Sequence, residues 1–373
     1  VKNSLPVIDS AEMTPSPAYS QESINCSVNS FTDMDGDDVV FSYSWTMDGV
    51  LIEDADSDVL VGPFTVGAVV ECSVGINDGL EDGTGISLST VIENTTPTIS
   101  NVTITSANGT LYNDAVLSCS ATAIDPDEVV TENYTWTQNG TQIGTGSTLD
   151  LANLSIDPND TIVCEVDVAD SNGGSASGSD TITVTNRLPV VTASVNNTSP
   201  EADETILCSA TVSDADGGTP TETYVWMNGS TNMGSAASLT LTPSTAGVVD
   251  SLVCTVTALD NHGGMTTDTV TATVANTEPT ITTATIAPNA NVTVNDLLTC
   301  AATGTDLNDG ALTVSYAWTS TGGSTNSAST WQLNNSLATS GDTITCTTTV
   351  FDNNGGSATS NSSVTIENTA PIS

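Results

Sequence analysis

Apolar and polar residues alternate along this chain with a period of two. Around Cys164, the residues Ile162, Cys164, Val166 and Val168 alternate with Val163, Glu165 and Asp167. Around Cys119, Leu117, Cys119, Ala121 and Ala123 alternate with Ser and Thr. Strict alternation puts successive side chains on opposite faces of a strand, one dry and one wet. Gly, Asn, Asp and Pro punctuate these short runs, so the pattern predicts an all-β protein built as a β-sandwich. No stretch carries a capped helical stripe. Ser and Thr supply 108 of the 373 residues, and Thr, polar yet β-branched, suits a solvated strand face.

The alternation is itself repeated. Five junctions share one pattern: "KNSLPV" at Lys2, "ENTTPT" at Glu93, "TNRLPV" at Thr185, "ANTEPT" at Ala275 and "ENTAPI" at Glu367. Their prolines, Pro6, Pro97, Pro189, Pro279 and Pro371, lie 90 to 92 residues apart. The eight cysteines fall two to a repeat, 45 or 46 residues apart, and a Tyr-x-Trp follows each first cysteine: Tyr43/Trp45, Tyr134/Trp136, Tyr224/Trp226 and Tyr316/Trp318. The register predicts four homologous domains at 1–92, 93–185, 186–276 and 277–373, with 368–373 a junction to a following domain or subunit. The chain is thus expected to open on the tail of one domain and close on the start of another, or to abut neighbouring subunits at its ends. Val1 carries no leader before it, so the chain is read as processed or as an excerpt.

Each cysteine occupies an inward position on its strand. Cys119, Tyr134, Trp136 and Cys164, with their counterparts and the "DNNGG"-type turn after the second cysteine, resemble the immunoglobulin-like superfamily. More narrowly, they resemble the PKD-type and cadherin-like tandem repeats of microbial extracellular surface proteins. The resemblance covers the whole chain. It implies four tandem seven-stranded Ig-like sandwiches arranged as an elongated rod. It also implies disulfides Cys26–Cys72, Cys119–Cys164, Cys208–Cys254 and Cys300–Cys346, with Trp45, Trp136, Trp226 and Trp318 packed against them in the core. Four pairs of buried free thiols are the competing reading. Zinc suits the set poorly, because there is one His and no CxxC pair. One departure is the absence of a tyrosine two residues before the second cysteine, where Val70, Ile162, Leu252 and Ile344 stand.

Charge narrows the partners. Forty-five acids face two bases, Lys2 and Arg187, for a net charge of -43. That surface repels nucleic acid and anionic membranes, and no apolar run reaches the eighteen residues of a membrane-crossing helix. The acids number 16, 13, 9 and 7 in successive repeats. Many sit in two loops per repeat. The loop after each first cysteine holds Asp33, Asp35 and Asp37, then Asp125 and Asp127, Asp214 and Asp216, and Asp306 and Asp309. The loop after each second cysteine holds Asp78, Asp170, Asp260 and Asp352. In a sandwich both loops emerge where the chain enters, beside the junction residues Asn3, Asn94, Asn186 and Asn276. Such oxygen clusters suit Ca2+, and the cadherin-like resemblance implies Ca2+ at the domain junctions. The bland alternative is that Asp, Asn and Gly are simply turn formers. No EF-hand is present, since the twelfth position from Asp33 is Ser44.

Fourteen Asn-x-Ser/Thr sequons are candidate glycosylation sites: Asn25, Asn94, Asn101, Asn108, Asn133, Asn139, Asn153, Asn159, Asn196, Asn197, Asn228, Asn291, Asn334 and Asn361. Asn25, beside inward Cys26, is expected to point outward. Catalysis finds no repeated group. His262 sits in a turn of one repeat only, and Trp331 aligns with the inward positions Leu149 and Leu239 as a further core residue. The reading is therefore a non-enzymatic extracellular or cell-surface protein, a stiff glycosylated stalk or filament. Its partners are head-to-tail neighbouring domains or subunits, and possible glycans. The alternative is an adhesin that grips a protein or glycan. Spacer domains of a larger enzyme are a third idea.

Overall fold

The computed structural model describes residues 2–368 of the chain. Pro371 and the rest of 369–373 lie outside the described residues. The chain divides into two compact units, Val1–Asn186 and Arg187–Ser373. Each unit holds two of the four repeated β-sandwiches, and each sandwich has its own hydrophobic cluster.

In the first unit, the second repeat is the simplest. Three strands, Thr98–Ser106, Val116–Ile124 and Thr148–Asp150, form one sheet. Four strands, Thr141–Thr145, Thr131–Gln138, Thr161–Ala169 and Ser175–Thr183, form the other. Ile162, Cys164, Val166 and Val168 are all buried, and the residues between them are not. The first repeat pairs Val7–Thr14, Ser23–Thr32 and Val59–Val61 against a five-stranded sheet. Its extra strand is Ala18–Tyr19, parallel to Ile86–Glu93.

In the second unit, the third repeat has three strands (Val190–Val195, Thr205–Ser213, Ser238–Thr240) facing four (Thr231–Gly234, Thr221–Asn228, Ser251–Leu259, Met265–Thr273). The fourth keeps a four-stranded sheet, but its other face is split into two three-stranded pieces. The break falls between Leu297–Ala301 and Gly304–Asp306. Gly304 lies so close to Val350 that a Cβ there would meet Val350 Cγ1 at 2.4 Å. Seven strands therefore describe the second and third repeats and not every repeat.

A disulfide joins the two sheets of each repeat: Cys26–Cys72, Cys119–Cys164, Cys208–Cys254 and Cys300–Cys346, all with Cα atoms 6.5 Å apart. The tryptophan lies in register with the second cysteine on the adjacent strand, as Trp136 does with Cys164. All four of these tryptophans are fully buried. A buried indole must spend its N–H, and each one donates to the segment that leads into the short edge strand. Trp45 Nε1 bonds Ser57 O at 2.8 Å, Trp136 Nε1 bonds Gly146 O at 2.7 Å, Trp226 Nε1 bonds Ala237 O at 3.3 Å and Trp318 Nε1 bonds Ala328 O at 2.8 Å. The first cysteine's own N–H goes to the same segment, for example Cys119 N to Ser147 O at 2.8 Å. Trp331 is buried against Trp318, with ring centroids 6.0 Å apart. The tyrosines are half-buried and lean on the cores rather than entering them.

Closing a loop of 45 residues, the separation of Cys119 and Cys164, is worth about 4 kcal/mol by the chain-entropy model. Replacing both Cys119 and Cys164 by Ala should lower the stability of that repeat by about 2–5 kcal/mol. Calorimetry should show one transition moving to lower temperature while transitions of the remaining repeats stay in place. A trace that shifts as a whole would mean that the repeats do not unfold separately.

Candidate functional site at the leading end of each repeat

Two Asp-led turns meet the incoming chain. In the first, an aspartate folds its loop by accepting backbone N–H bonds on Oδ1. Asp33 accepts from Asp35 N at 3.1 Å, Asp125 from Asp127 N at 2.7 Å, Asp214 from Asp216 N at 2.8 Å and Asp306 from Asn308 N at 2.7 Å. In the second, Asp78 Oδ1 accepts from Leu80 N, while Asp170, Asp260 and Asp352 accept from the glycine four residues on and from the residue two on. These are Asx turns, in which a short carboxylate replaces a backbone carbonyl. His262 takes part only through its backbone N–H, which donates to Asp260 Oδ1 at 2.8 Å.

Oδ2 of the second-loop aspartates, and a second side chain of the first loop, grip the chain. The junction asparagine donates its amide N–H to the second-loop aspartate: Asn3 to Asp78 at 3.0 Å, Asn94 to Asp170 at 2.7 Å and Asn276 to Asp352 at 2.8 Å. The next residue donates its backbone N–H to the first loop. Ser4 N bonds Asp35 Oδ2 at 3.0 Å, Thr95 N bonds Asp127 Oδ2 at 2.6 Å, Arg187 N bonds Asp216, and Thr277 N bonds Asn308 Oδ1 at 3.1 Å. Arg187 adds its guanidinium, Nε to Asp216 Oδ1 at 2.7 Å. The incoming strand is thus clasped from both loops.

Not every loop aspartate takes part in the clasp. Asp309 does not seat the chain. Asn308 does, and Asp309 instead accepts from Asn353 N at 3.1 Å, as Glu128 accepts from Ser171 Oγ at 2.8 Å. The spacing Asp33/Asp35, Asp125/Asp127, Asp214/Asp216 points to Asn308 as the fourth member, but a search for carboxylates passes over an amide. Asp37 is exposed. Two further groups were not legible: Asp180 reaches across the sandwich to Ile104 N at 2.7 Å, and Asp268 reaches to Ala193 N at 2.8 Å.

Carboxylates that accept several N–H bonds hold their charge more readily than free ones. The Asn94 amide first, then backbone N–H groups, holds Asp170 below its ordinary range, and Asn276 does the same for Asp352. Asp78 is lowered chiefly by the N–H groups of Glu81 and Leu80, with Asn3 third. The Ser4 hydroxyl brings Asp35 down to about 2, whereas Asp33, in hydrogen-bond contact with Asp35, is raised.

For a cation the donor chemistry and the geometry disagree. Oδ1 of Asn3, Asn94 and Asn276 and Oδ2 of Asp33, Asp125 and Asp306 are buried and accept no hydrogen bond, and hard oxygens of this kind suit Ca2+. Among the described residues, however, no three acidic groups stand close enough to share an ion. Most clasp carboxylates already hold N–H donors.

In the first unit the clasp also touches the preceding repeat. The buried hydroxyl of Ser20 donates to Asp127, the same carboxylate that seats Thr95, and Gln21 Nε2 bonds Pro126 O at 3.1 Å. Phe64, Thr65 and Val66 face Asp127, Glu128, Ser171 and Asn172 across a cleft of about 390 Å3. In the second unit Asp203 shares a comparable cleft with Glu278, Asp306 and Leu307.

Ten sequon asparagines are exposed: Asn101, Asn108, Asn133, Asn139, Asn153, Asn159, Asn196, Asn291, Asn334 and Asn361. Asn25, Asn94, Asn197 and Asn228 are half-buried. Asn25 does not stand clear of the surface, since its Oδ1 is buried. Asn94 uses its Nδ2, the atom a glycan would occupy, to hold Asp170.

No protein-family model matches the chain, and no curated protein does. The likeness is to solved structures of tandem immunoglobulin-like and cadherin-like repeats. One is a Ca2+-stabilised adhesin that helps an Antarctic bacterium reach out and bind ice, with 15% identity and TM-score 0.32, covering 98% of this chain and 99% of that one. Another is a tetra-tandem repeat from the extending region of a large adhesion protein, with 16% identity and TM-score 0.34, covering 97% and 98%. The cadherin domains 1–5 of protocadherin gamma B2 match at 11% identity and TM-score 0.31, covering 100% and 82%.

The lowered aspartates set a pH dependence with a definite sign. Their charged forms are bound more tightly in the folded state, so the clasp contributes fully above the unfolded carboxyl pKa of about 4 and fades as pH falls through the lowered folded-state values. Asp170→Asn should therefore melt a few degrees below the parent chain at pH 6. The gap should narrow as the pH falls below about 4 and the parent carboxyl takes up its proton too. A gap that stays constant over that range would rule out the charged clasp.

Proposed function

We propose that this chain is a structural extracellular protein, a segment of a stiff stalk or filament whose Ig-like domains are 1–92, 93–185, 186–276 and 277–373. The observation that carries the reading is the clasp. It recurs at the leading end of the repeats, and its job is to fix how the chain enters a domain. At Asp127 a single carboxylate holds both Thr95 and the preceding repeat's Ser20. A device of that kind restrains bending between domains, which is what a stalk needs and an enzyme does not.

The other features are consistent with that role. Four disulfides persist only in an oxidising compartment, which supports an extracellular or cell-surface location. A net charge of -43 keeps such segments apart and soluble. The ten exposed sequons are the glycan sites of this reading. Its partners are further domains or subunits, stacked head to tail. Ca2+ at the junctions is part of the proposal only through the buried, unpaired oxygens of Asn3, Asn94, Asn276, Asp33, Asp125 and Asp306.

Electron microscopy of native material tests the stalk. Strands of nine residues, such as Thr161–Ala169, rise ~3.4 Å per residue, so beads should repeat every ~3–4 nm along straight rods. Freely jointed beads, or short rods ending in a distinct globular head, would overturn the reading. Calcium is tested separately by melting the chain in Ca2+ and in chelator. A higher midpoint with Ca2+ supports junction sites, and an unchanged midpoint removes them.

A further inference from the structure

Apolar exposure is distributed very unevenly. Of the 24 large hydrophobic residues exposed among the described residues, 12 belong to the first repeat. Four of these lie on the two edge strands at one side of that sandwich. Val50 and Leu51 make the edge strand of the five-stranded sheet, 70% and 60% exposed. Val59 and Val61 lie on the edge strand of the facing sheet, 40% and 72% exposed, on either side of inward Leu60. Residues 52–58 carry the chain from one edge to the other, and Trp45 ties both ends of that crossing. Its carbonyl accepts Ile52 N at 2.9 Å and its indole donates to Ser57 O at 2.8 Å. The two edges therefore share one side of the domain.

The other repeats show that these apolar residues are not needed for the fold. In register with Val59 and Val61, the second repeat has Thr148 and Asp150 and the third has Ser238 and Thr240. In register with Val50 and Leu51, those repeats have Thr141 and Gln142, then Thr231 and Asn232. Polar residues thus blunt these edges elsewhere, as isolated edges require. In the first repeat the edges are left apolar and are rimmed by exposed acids from the crossing segment: Glu53, Asp54, Asp56 and Asp58.

We propose that this side of the first repeat, the Val50–Leu51 and Val59–Val61 edges with their acidic rim, docks an extended basic segment of another protein in which apolar side chains alternate with Lys or Arg. Alternation is what a strand laid along a sheet edge presents, one face to the apolar patch and the other to the carboxylates. An exposed apolar patch ringed by charge marks an interaction site. A second copy of this chain does not fit the role, because its only cations are Lys2 and Arg187 and its net charge is repulsive.

The test uses the full chain and a labelled ten-residue peptide of alternating Lys and Val, read by fluorescence anisotropy. Alternating Lys-Ser and Glu-Val peptides serve as controls. Only the Lys-Val peptide should bind appreciably. Its affinity should fall at least tenfold in the variant Val50→Thr, Leu51→Asn, Val59→Ser, Val61→Thr, which carries the third repeat's residues and leaves the charge unchanged. Glu53→Gln, Asp54→Asn, Asp56→Asn should also weaken it and flatten its salt dependence. If the fourfold variant melts below the parent chain, the single Val61→Thr change decides, with an expected loss of a few-fold. Equal binding to parent and variant, equal binding of the Lys-Ser or Glu-Val peptide, or no binding at all would each overturn the proposal.

Discussion

The cystine that spans the two sheets is the constraint on which every repeat depends. A sandwich of about 90 residues buries little apolar surface, and here much of that surface is valine, isoleucine, leucine and alanine. The disulfide supplies what the small core lacks. It also decides what can lie next to it. The adjacent strand must present a large flat side chain there, and tryptophan fills the place four times. The indole N–H cannot be left unpaired in the core, so it draws in the segment before the edge strand. The cysteine's own N–H holds the same segment. One covalent bond thereby organises both sheets and the edge that closes them.

The leading end follows a different logic. Carboxylates crowd there, and without donors they would repel one another. Backbone N–H groups of tight turns, the junction amide and the N–H of the entering strand hold most of them. The acidic character of the loops is therefore not only a matter of surface charge. It is the means by which a chain with almost no cations can fasten one segment to another. The Ser20 to Asp127 contact extends the same means from a repeat's own strand to its neighbour.

Much of the fold was legible from alternation and register. The strand pairs around Cys119 and Cys164, the inward Trp136 and the fifth core tryptophan, Trp331, all sit where period-two reading places them. The candidate site was half legible. Aspartates in two loops and an asparagine at the junction are easy to see, and the sandwich topology brings them together. Their bonding was not visible, because an aspartate in a turn reads the same whether it holds a metal, a backbone N–H or water. Asn308 was missed since it does an aspartate's work with an amide oxygen. Asp180 was missed because a charged residue amid Ser and Thr looks solvated until the opposite sheet is in place.

The sequence by itself determined the number of repeats, the strand periodicity and which residues of a strand face inward. These depend on chemistry repeated every 90 residues or so, which local pattern records. Only the tertiary structure decided which donors occupy the carboxylates, why the fourth repeat's smaller sheet breaks in two, and which apolar residues remain uncovered. Val59 and Leu60 look alike in a list of residues. One is exposed and the other buried because the edge strand can turn only one face to the core, and which face that is depends on contacts made across the sandwich.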